Sequence, residues 1–312
     1  RNETKRKKVG LMSGLVPNID PDGLLEYSVV YTDRAVNHMS ESFQNVMNDI
    51  STTLCSVYSA DAVAVVPGSG TFGMEAVARQ FAAGEHVLVI RNGWFSFRWT
   101  QIFEAGDIPT SHTVCMARQL NNDHQSPFMP APIEDVVFQI QEEQPKVVFA
   151  PHVETSAGML LPDEYLSAVA EAVHEVGGIF VLDCIASGAI WVNMKKCGID
   201  VLISAPQKGW SGTPCSALVM MSQRAIDLLQ ITTSSSFSCD LKKWRDIMTS
   251  YEQGGHAYHA TMPTDGLRNF RDVMNETRNL GFAEIEKAQR ELGKQVRDLL
   301  ASNGYPSVAA AG

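Results

Sequence analysis

Residues 62–83 read AVAVVPGSGTFGMEAVARQFAA, and the interpretation of the whole chain depends on this stretch. Its first five residues are all apolar and include three valines, so residues 62–66 are predicted to form a buried strand. A turn with two glycines follows, and residues 71–83 then place apolar side chains at helical spacing. The order of strand, glycine-bearing turn and helix is typical of α/β proteins with a parallel sheet.

The alternation of strands and helices continues along the chain. Further strands are predicted at residues 86–91, 146–150, 178–182, 201–204 and 217–221. Helices are predicted at residues 43–58, 95–105, 133–143 and 163–176. Because the strand segments are almost wholly apolar, they indicate a mostly parallel sheet that is covered by helices on both faces. Beyond residue 222 the pattern indicates loops and short helices, and a long helix is then predicted over residues 264–302, with a kink near Gly281.

Composition and charge restrict the kind of partner. The chain has 312 residues, 45% of them hydrophobic and 19% charged, which predicts a packed globular protein. Its net charge of −10 argues against nucleic acid or an anionic membrane as the main partner. We find no membrane-spanning run or secretory signal, so we expect a cytoplasmic protein, with an organellar matrix as the alternative. The six cysteines form no C-x-x-C pair and are interpreted as thiols, and no metal site is expected.

Three polar features follow predicted strands, at the edge where open α/β sheets bind their ligands. The turn around Ser69 and Gly70 offers free backbone N–H groups at a helix start, which suits an anion. Asp183 ends a buried strand, where a carboxylate is costly unless it is paired. Lys208 follows the strand at residues 201–204, and burial there would favour a neutral, nucleophilic amine. Each feature taken alone also suits an ordinary turn, cap or loop residue.

Together the three features meet the requirements of pyridoxal 5'-phosphate (PLP). The turn would anchor the phosphate, the carboxylate would pair with the pyridinium nitrogen, and the lysine would form a Schiff base. A dinucleotide is the alternative ligand, because residues 68–73 match the letters G-x-G-x-x-G. The next strand ends at Arg91 instead of at an acidic residue that would hold the ribose of NAD, which weakens this alternative.

Six ordered motifs give the chain a resemblance to a known family. They are Pro67-Gly68-Ser69-Gly70-Thr71, Asn92-Gly93-Trp94-Phe95-Ser96-Phe97-Arg98, His152-Val153-Glu154-Thr155-Ser156-Ala157-Gly158, Asp183-Cys184-Ile185-Ala186-Ser187, Ser204-Ala205-Pro206-Gln207-Lys208 and Tyr258-His259-Ala260-Thr261-Met262-Pro263. On these residues the chain resembles the class V aminotransferases of the fold-type I PLP enzymes, in particular the alanine–glyoxylate and serine–pyruvate aminotransferases. The resemblance implies a mostly parallel seven-stranded sheet between helices, plus a smaller C-terminal domain that is truncated here.

The resemblance also implies roles for single residues. Lys208 would be the Schiff-base lysine and the proton shuttle, and Asp183 would face the pyridine nitrogen. The other implied contacts to the cofactor are Ser69, Gly70 and Thr71 at the phosphate with Gln207 nearby, Phe95 stacked on the ring, and Thr155 at the phenolic oxygen. Tyr258 and Thr261 would reach the phosphate of a neighbouring subunit, which implies a homodimer.

The implied organisation has three parts. They are an N-terminal arm at residues 1–25, a large PLP-binding domain at residues 26–262, and a linking helix with the start of a small C-terminal domain at residues 263–312. The implied reaction moves an amino group from a small amino acid or amine donor to a 2-oxo acid such as glyoxylate or pyruvate. The family's arginine for the substrate carboxylate belongs to the C-terminal domain, and the sequence offers no match for it.

Two other functions remain open at this stage. A PLP-dependent lyase or desulfurase of the same fold would need a reactive cysteine on a mobile loop, and Cys239 is the candidate. A nucleotide-binding α/β oxidoreductase would instead hold a dinucleotide on residues 68–73, and Lys208 would then be a structural residue. Intact Asp183 and Lys208 argue against a scaffold without catalytic function.

Overall fold

The computed structural model describes residues 36–311, so the predicted N-terminal arm at residues 1–25 lies outside the described residues. The strands are β1 (Ala62–Pro67), β2 (His86–Arg91), β3 (Ser111–Met116), β4 (Arg118–Gln119), β5 (Phe128–Met129), β6 (Val147–Pro151), β7 (Val153–Glu154), β8 (Met159–Leu160), β9 (Ile179–Asp183), β10 (Val201–Ser204) and β11 (Ser216–Met221). The helices are α1 (Glu41–Tyr58), α2 (Gly70–Phe81), α3 (Trp94–Gly106), α4 (Ile133–Glu143), α5 (Asp163–Glu175), α6 (Met194–Cys197), α7 (Gln223–Ile231), α8 (Leu241–Glu252), α9 (Thr264–Leu280) and α10 (Phe282–Ser302).

Seven strands form one sheet in the spatial order β1-β11-β10-β9-β6-β2-β3. Strand β11 runs antiparallel to both of its neighbours, and the other neighbouring pairs are parallel. The central strands β6, β9 and β10 are buried along their whole length, as expected for a sheet that is covered on both faces. Helices α2, α3, α5 and α8 pack on the sheet. The predicted α/β fold with a mostly parallel seven-stranded sheet is confirmed.

The predicted strands agree with the structure, and each lies within one residue of its predicted bounds. The apolar runs did not predict β3, the seventh strand, because it lies at the edge of the sheet and its residues are half-buried or exposed. An edge strand has a neighbour on one side only, so its sequence lacks the apolar run that marks a central strand.

Local capping explains where several helices begin and end. Helix α1 starts where the side chain of Ser40 accepts the N–H of Phe43, and α8 starts where Asp240 accepts the N–H of Lys243. The long helix predicted over residues 264–302 is divided into α9 and α10 by Gly281, whose φ is +92°. No helix among the described residues is long and apolar enough to cross a membrane.

The register of the central strands brings their carboxyl ends to one edge of the sheet. Asp183 of β9 is paired with Pro151 of β6 on one side and with Ile203 of β10 on the other. Strand β1 points the same way, because β11 is antiparallel to both β1 and β10. The turn after Pro67 therefore leaves the sheet at the same edge as Asp183.

Helix α2 lies very close to the sheet at Gly73. A Cβ on Gly73 would overlap the Cβ of Ala217 in β11 and would lie 3.3 Å from the side chain of Ile203 in β10. The absence of a side chain on Gly73 thus sets the distance between the helix and the two strands. This contact fixes the start of α2, and with it the glycine-bearing turn, over the edge that carries Asp183.

Replacement of Gly73 with alanine is expected to destabilise the protein by about 1–3 kcal/mol, because the new methyl group overpacks the helix–sheet contact. Gly293→Ala is the matched control, since Gly293 lies in α10, where the new Cβ would meet only the flexible side chain of Arg297. The control is expected to stabilise the helix by about 0.5–1 kcal/mol. Thermal unfolding measures both effects, and equal midpoints for the two variants would contradict the packing argument.

Candidate functional site

Asp183 is the last residue of β9, and only 9% of its surface is exposed. Burial raises the pKa of Asp183 to about 6, although the hydrogen bond that its Oδ1 accepts from the N–H of Ile185 at 2.9 Å lowers it. The negative charge of Glu154 raises the same pKa, whereas the positive charges of Arg98 and Lys208 lower it. The four ionisable side chains therefore lie close enough to interact through their charges.

Lys208 lies in the loop after β10 and is exposed, so the prediction that its side chain is buried is wrong. Its neighbours are packed instead. A Cβ on Gly209 would overlap the backbone oxygen of Gly188, and Trp210 is buried. Gln207 is half-buried, and its buried Oε1 has no hydrogen-bond partner among the described residues. The backbone of the loop that carries the exposed lysine is thus held in place.

The turn between β1 and α2 has the backbone of an anion site. Gly68 has a φ of +120°, a conformation that favours glycine. Ser69 is the N-cap of α2, and its side chain makes no capping hydrogen bond. A Cβ on Gly70 would lie 2.5 Å from the side chain of Ile185, two residues beyond Asp183. The free N–H groups at the start of α2 are therefore held against the loop that follows Asp183.

The first turn of α3 lies beside the start of α2. Nη1 of Arg98 donates to Oγ1 of Thr71 at 3.2 Å, which connects the two helix starts. The guanidinium of Arg98 also lies 5.8 Å from the centre of the Phe95 ring, and 39% of Phe95 is exposed. Because Arg98 interacts with Asp183 as well, the ring of Phe95 belongs to the same group of residues.

Glu154 fixes the first turn of α3. It is fully buried at the end of β7, and its carboxylate accepts the N–H groups of Phe95 and Ser96 at 3.1 and 2.9 Å. The hydroxyls of Ser96 and Ser156 donate to it at 2.7 and 2.6 Å. Burial opposes ionisation, but the hydrogen bonds from Ser156 and Ser96 outweigh it and lower the pKa of Glu154. The side chain is therefore an anion at neutral pH.

The remaining predicted residues lie in two other places. Thr155 is exposed at the turn between β7 and β8, directly after the residue that fixes α3. Tyr258 and Thr261 border a cavity of about 260 Å³, and the ring of Tyr258 lies 5.7 Å from that of His38. Within residues 36–311, no hydrogen bond or ring contact joins Tyr258 or Thr261 to the group at the sheet edge. The described residues of one chain therefore show no contact between this pair and the other predicted site residues.

Three contributors to the site, Glu154, Arg98 and Ile185, were not predicted as site residues. A signal existed for the first two. Glu154 directly precedes Thr155 in a predicted motif, and Arg98 follows Phe95 by three positions, which is one turn of a helix. Ile185 acts by filling the space over a glycine of a distant segment, and a single sequence carries no signal for such a contact.

The raised pKa of Asp183 predicts that the stability of the ligand-free protein depends on pH. The folded state keeps this proton up to about pH 6, whereas an unfolded chain releases it near pH 4. The stability that the protonated group contributes is therefore fully present below about pH 4 and is lost as the pH rises to about 6.

Asp183→Asn is expected to remove this loss, because its side-chain oxygen can still accept the N–H of Ile185 and no charge is buried. The variant should be more stable than the wild type by up to about 3 kcal/mol at pH 7, and by much less near pH 4. Thermal unfolding across this pH range tests the expectation. A difference that stays constant with pH would show that the Asp183 carboxylate is not buried at an energetic cost.

Comparison with known proteins identifies the family. The family model described as Aminotransferase class-V matches residues 24–311. The chain is 24% identical over 88% of its length to the small subunit of the soluble hydrogenase of Synechococcus sp., of which it covers 69%. It is 23% identical over 85% of its length to alanine–glyoxylate aminotransferase 1 of Saccharomyces cerevisiae, of which it covers 70%.

A solved structure supports the same fold. The crystal structure of alanine–glyoxylate aminotransferase from Nostoc sp. matches with a TM-score of 0.72 at 24% identity, over 86% of this chain and 68% of that chain. At this identity the likeness concerns the fold. The family model itself covers almost the whole sequence. The chain belongs to the class-V aminotransferase family.

Proposed function

We propose that the chain is a transaminase that uses PLP to move an amino group from a small amino acid or amine donor to a 2-oxo acid such as glyoxylate or pyruvate. Membership of the class-V aminotransferase family supports the reaction type. The observation that carries the proposal is the grouping of Asp183, Lys208 and the start of α2 at one edge of the sheet. Two of the similar proteins are named for glyoxylate, which supports the choice of acceptor.

The chemistry of these residues fits a ligand with a phosphate at one end and a basic ring nitrogen at the other. The N–H groups at the start of α2 suit the phosphate, because the helix dipole adds to their donor capacity. The pKa of about 6 shows that the buried carboxylate of Asp183 lacks a full counter-charge, and a protonated ring nitrogen would supply it. Oε1 of Gln207 is a further buried acceptor without a partner among the described residues.

Each proposed contact holds a different part of the cofactor. Asp183 holds a proton on the ring nitrogen, because the carboxylate is more stable beside a cation than alone. The other proposed contacts are Ser69, Gly70 and Thr71 at the phosphate with Gln207 nearby, Phe95 on one face of the ring, and Thr155 at the phenolic oxygen. Contact with an aromatic face is worth about 0.5–1.5 kcal/mol beyond the burial of surface.

Lys208 is the proposed catalytic base. Bound PLP supplies an electron sink that stabilises negative charge on the α carbon of the substrate. Nζ of Lys208 takes the proton from the α carbon of the amino donor, and in the second half of the reaction it delivers a proton to the α carbon of the new amino acid. The packing of Gly209 and Trp210 holds the backbone beneath this side chain, so its amine can move while its attachment stays fixed.

The separate location of Tyr258 and Thr261 supports a homodimer. Tyr258 is 66% exposed, and among residues 36–311 no hydrogen bond or ring contact joins either residue to the cofactor contacts of its own chain. In a dimer they would reach the phosphate that is bound to the neighbouring subunit. The division into a large domain at residues 26–262 and a linking helix with the start of a small domain at residues 263–312 stays a prediction, as does a cytoplasmic location.

A desulfurase function is not favoured by the position of Cys239. The sequence suggested a reactive cysteine on a mobile loop, but Cys239 is buried, and its N–H donates to Oγ of Ser236 at 3.0 Å. Burial raises the pKa of the Cys239 thiol, which disfavours the nucleophilic thiolate. Family membership likewise favours transamination over a dinucleotide on residues 68–73.

Replacement of Lys208 with alanine is expected to lower transamination by about a thousandfold or more, because the proton at the α carbon loses its base. Borohydride reduction of the PLP-loaded wild type, followed by peptide mass spectrometry, is expected to fix the cofactor on Lys208. Lys146→Ala is the control, since Lys146 is an exposed lysine just before β6, at the opposite edge of the sheet. It should retain both turnover and the fixed cofactor. Fixation on another lysine would contradict the assignment.

Replacement of Cys239 with alanine is expected to leave the transamination rate within about twofold of the wild type, because the thiol is buried and has no role in the proposed reaction. The wild type should form a 2-oxo acid from the amino donor and release no sulfide from cysteine. Parallel assays of the two products check this. Sulfide release that disappears in the alanine variant would favour the desulfurase instead.

A further inference from the structure

Glu154 is the most heavily hydrogen-bonded carboxylate near the proposed cofactor site. It accepts two hydrogen bonds from Ser96, one from the N–H of Phe95, and two from Ser156, whose N–H lies at 3.3 Å. The side chain has no exposed surface. A carboxylate with this many donors is locked in one position, because rotation would break several hydrogen bonds at once.

Its donors show what the carboxylate holds. The first N–H groups of a helix have no partner within the helix, and they carry the positive end of its dipole. Gly93 is the N-cap of α3 and has no side chain to accept them. A Cβ on Gly93 would lie 2.8 Å from Cγ of Glu154, so the glycine leaves the space in which the carboxylate reaches the helix start. Glu154 thus caps α3 from another segment of the chain.

The turn that Glu154 caps carries two residues of the proposed site. Phe95 is bonded to Glu154 through its own N–H. Arg98 lies one turn further along, against the ring of Phe95 and the hydroxyl of Thr71. A shift of this turn would therefore move an aromatic ring and a cation together, next to the start of α2 and the carboxylate of Asp183.

We propose that Glu154 is a positioning residue of the cofactor site, which acts on the bound cofactor through the placement of Phe95 and Arg98. The proposal rests on the proposed function, because it concerns the cofactor of that reaction. A residue that only caps α3 would affect the stability of the protein. A positioning residue also affects how the cofactor is held, so the loss of Glu154 is expected to change both.

Glu154→Gln tests the role, because the amide keeps the size of the side chain but turns an N–H₂ group toward backbone donors. In the cofactor-free protein, hydrogen–deuterium exchange at the N–H groups of Phe95 and Ser96 should become about tenfold faster or more. The dissociation constant of PLP should rise about tenfold or more. The visible circular dichroism per bound cofactor, measured at saturation, should fall, because the ring loses its fixed neighbour.

Glu164→Gln is the matched control. Glu164 is exposed in the first turn of α5, so the variant makes the same change of charge at a helix start without the buried contacts. It should leave exchange at α3, PLP affinity and circular dichroism unchanged. Equal effects in the two variants would overturn the positioning role and leave only a general effect of charge.

The outcomes separate the two proposals. Faster exchange with unchanged PLP affinity and circular dichroism would confine Glu154 to holding the helix, which overturns the inference and leaves the transaminase in place. A wild type that binds no PLP would overturn both. If Glu154→Gln does not fold, Ser156→Ala keeps the carboxylate but removes the hydroxyl that donates to it and that accepts the N–H of Trp94. PLP affinity should then weaken by about two- to fivefold, and an unchanged affinity would overturn the inference.

Discussion

The carboxylate of Asp183 can be buried at the end of β9 only when its neighbours supply hydrogen bonds and positive charge. Within residues 36–311, the neighbours of Asp183 supply part of what is needed. One N–H from Ile185 reaches it, and the cations Arg98 and Lys208 act on it from nearby, yet its pKa remains about 6. The site is therefore built around an acceptor that is incompletely satisfied. A ligand with a protonated nitrogen is the natural complement of such an acceptor.

Glycines place the other parts of the site around this acceptor. Gly73 brings α2 down onto the sheet, Gly70 lets Ile185 pack against the start of that helix, and Gly209 packs against the backbone of Gly188. Each contact joins segments that are distant in sequence, and each would be blocked by a Cβ. The turn before α2 and the loop that carries Lys208 are thereby held at the same edge of the sheet as the carboxylate of Asp183. The geometry depends on backbones that approach closely, more than on any single polar contact.

The sequence predicted most of the fold because buried parallel strands have a strong and local signature. The run at residues 62–66 is apolar along its whole length, the run at residues 201–204 is apolar as far as Ser204, and both are strands. Edge strand β3 could not be found in this way, since its burial is partial. The exposure of Lys208 could not be predicted from the sequence either. The packing that holds its loop is made by the neighbouring residues and not by the lysine side chain. Glu154 stands beside Thr155 in a predicted motif, but its role was not predictable, because the N–H groups that it accepts lie on a helix about sixty positions earlier.

The two buried carboxylates of the site have opposite electrostatic environments, and the number of donors decides the difference. Five hydrogen bonds keep Glu154 ionised and lower its pKa. The one donor to the Asp183 carboxylate within residues 36–311, the N–H of Ile185, is outweighed by burial, which raises the pKa of Asp183. Glu154 therefore has no remaining capacity to respond to a ligand, and its charge acts as a fixed part of the framework. Asp183 retains that capacity, because a cation beside its carboxylate would lower the energy of the charged form. The environments of these two carboxyl groups shift their pKa values in opposite directions. This difference indicates that Glu154 is structural and that Asp183 is the partner of a ligand.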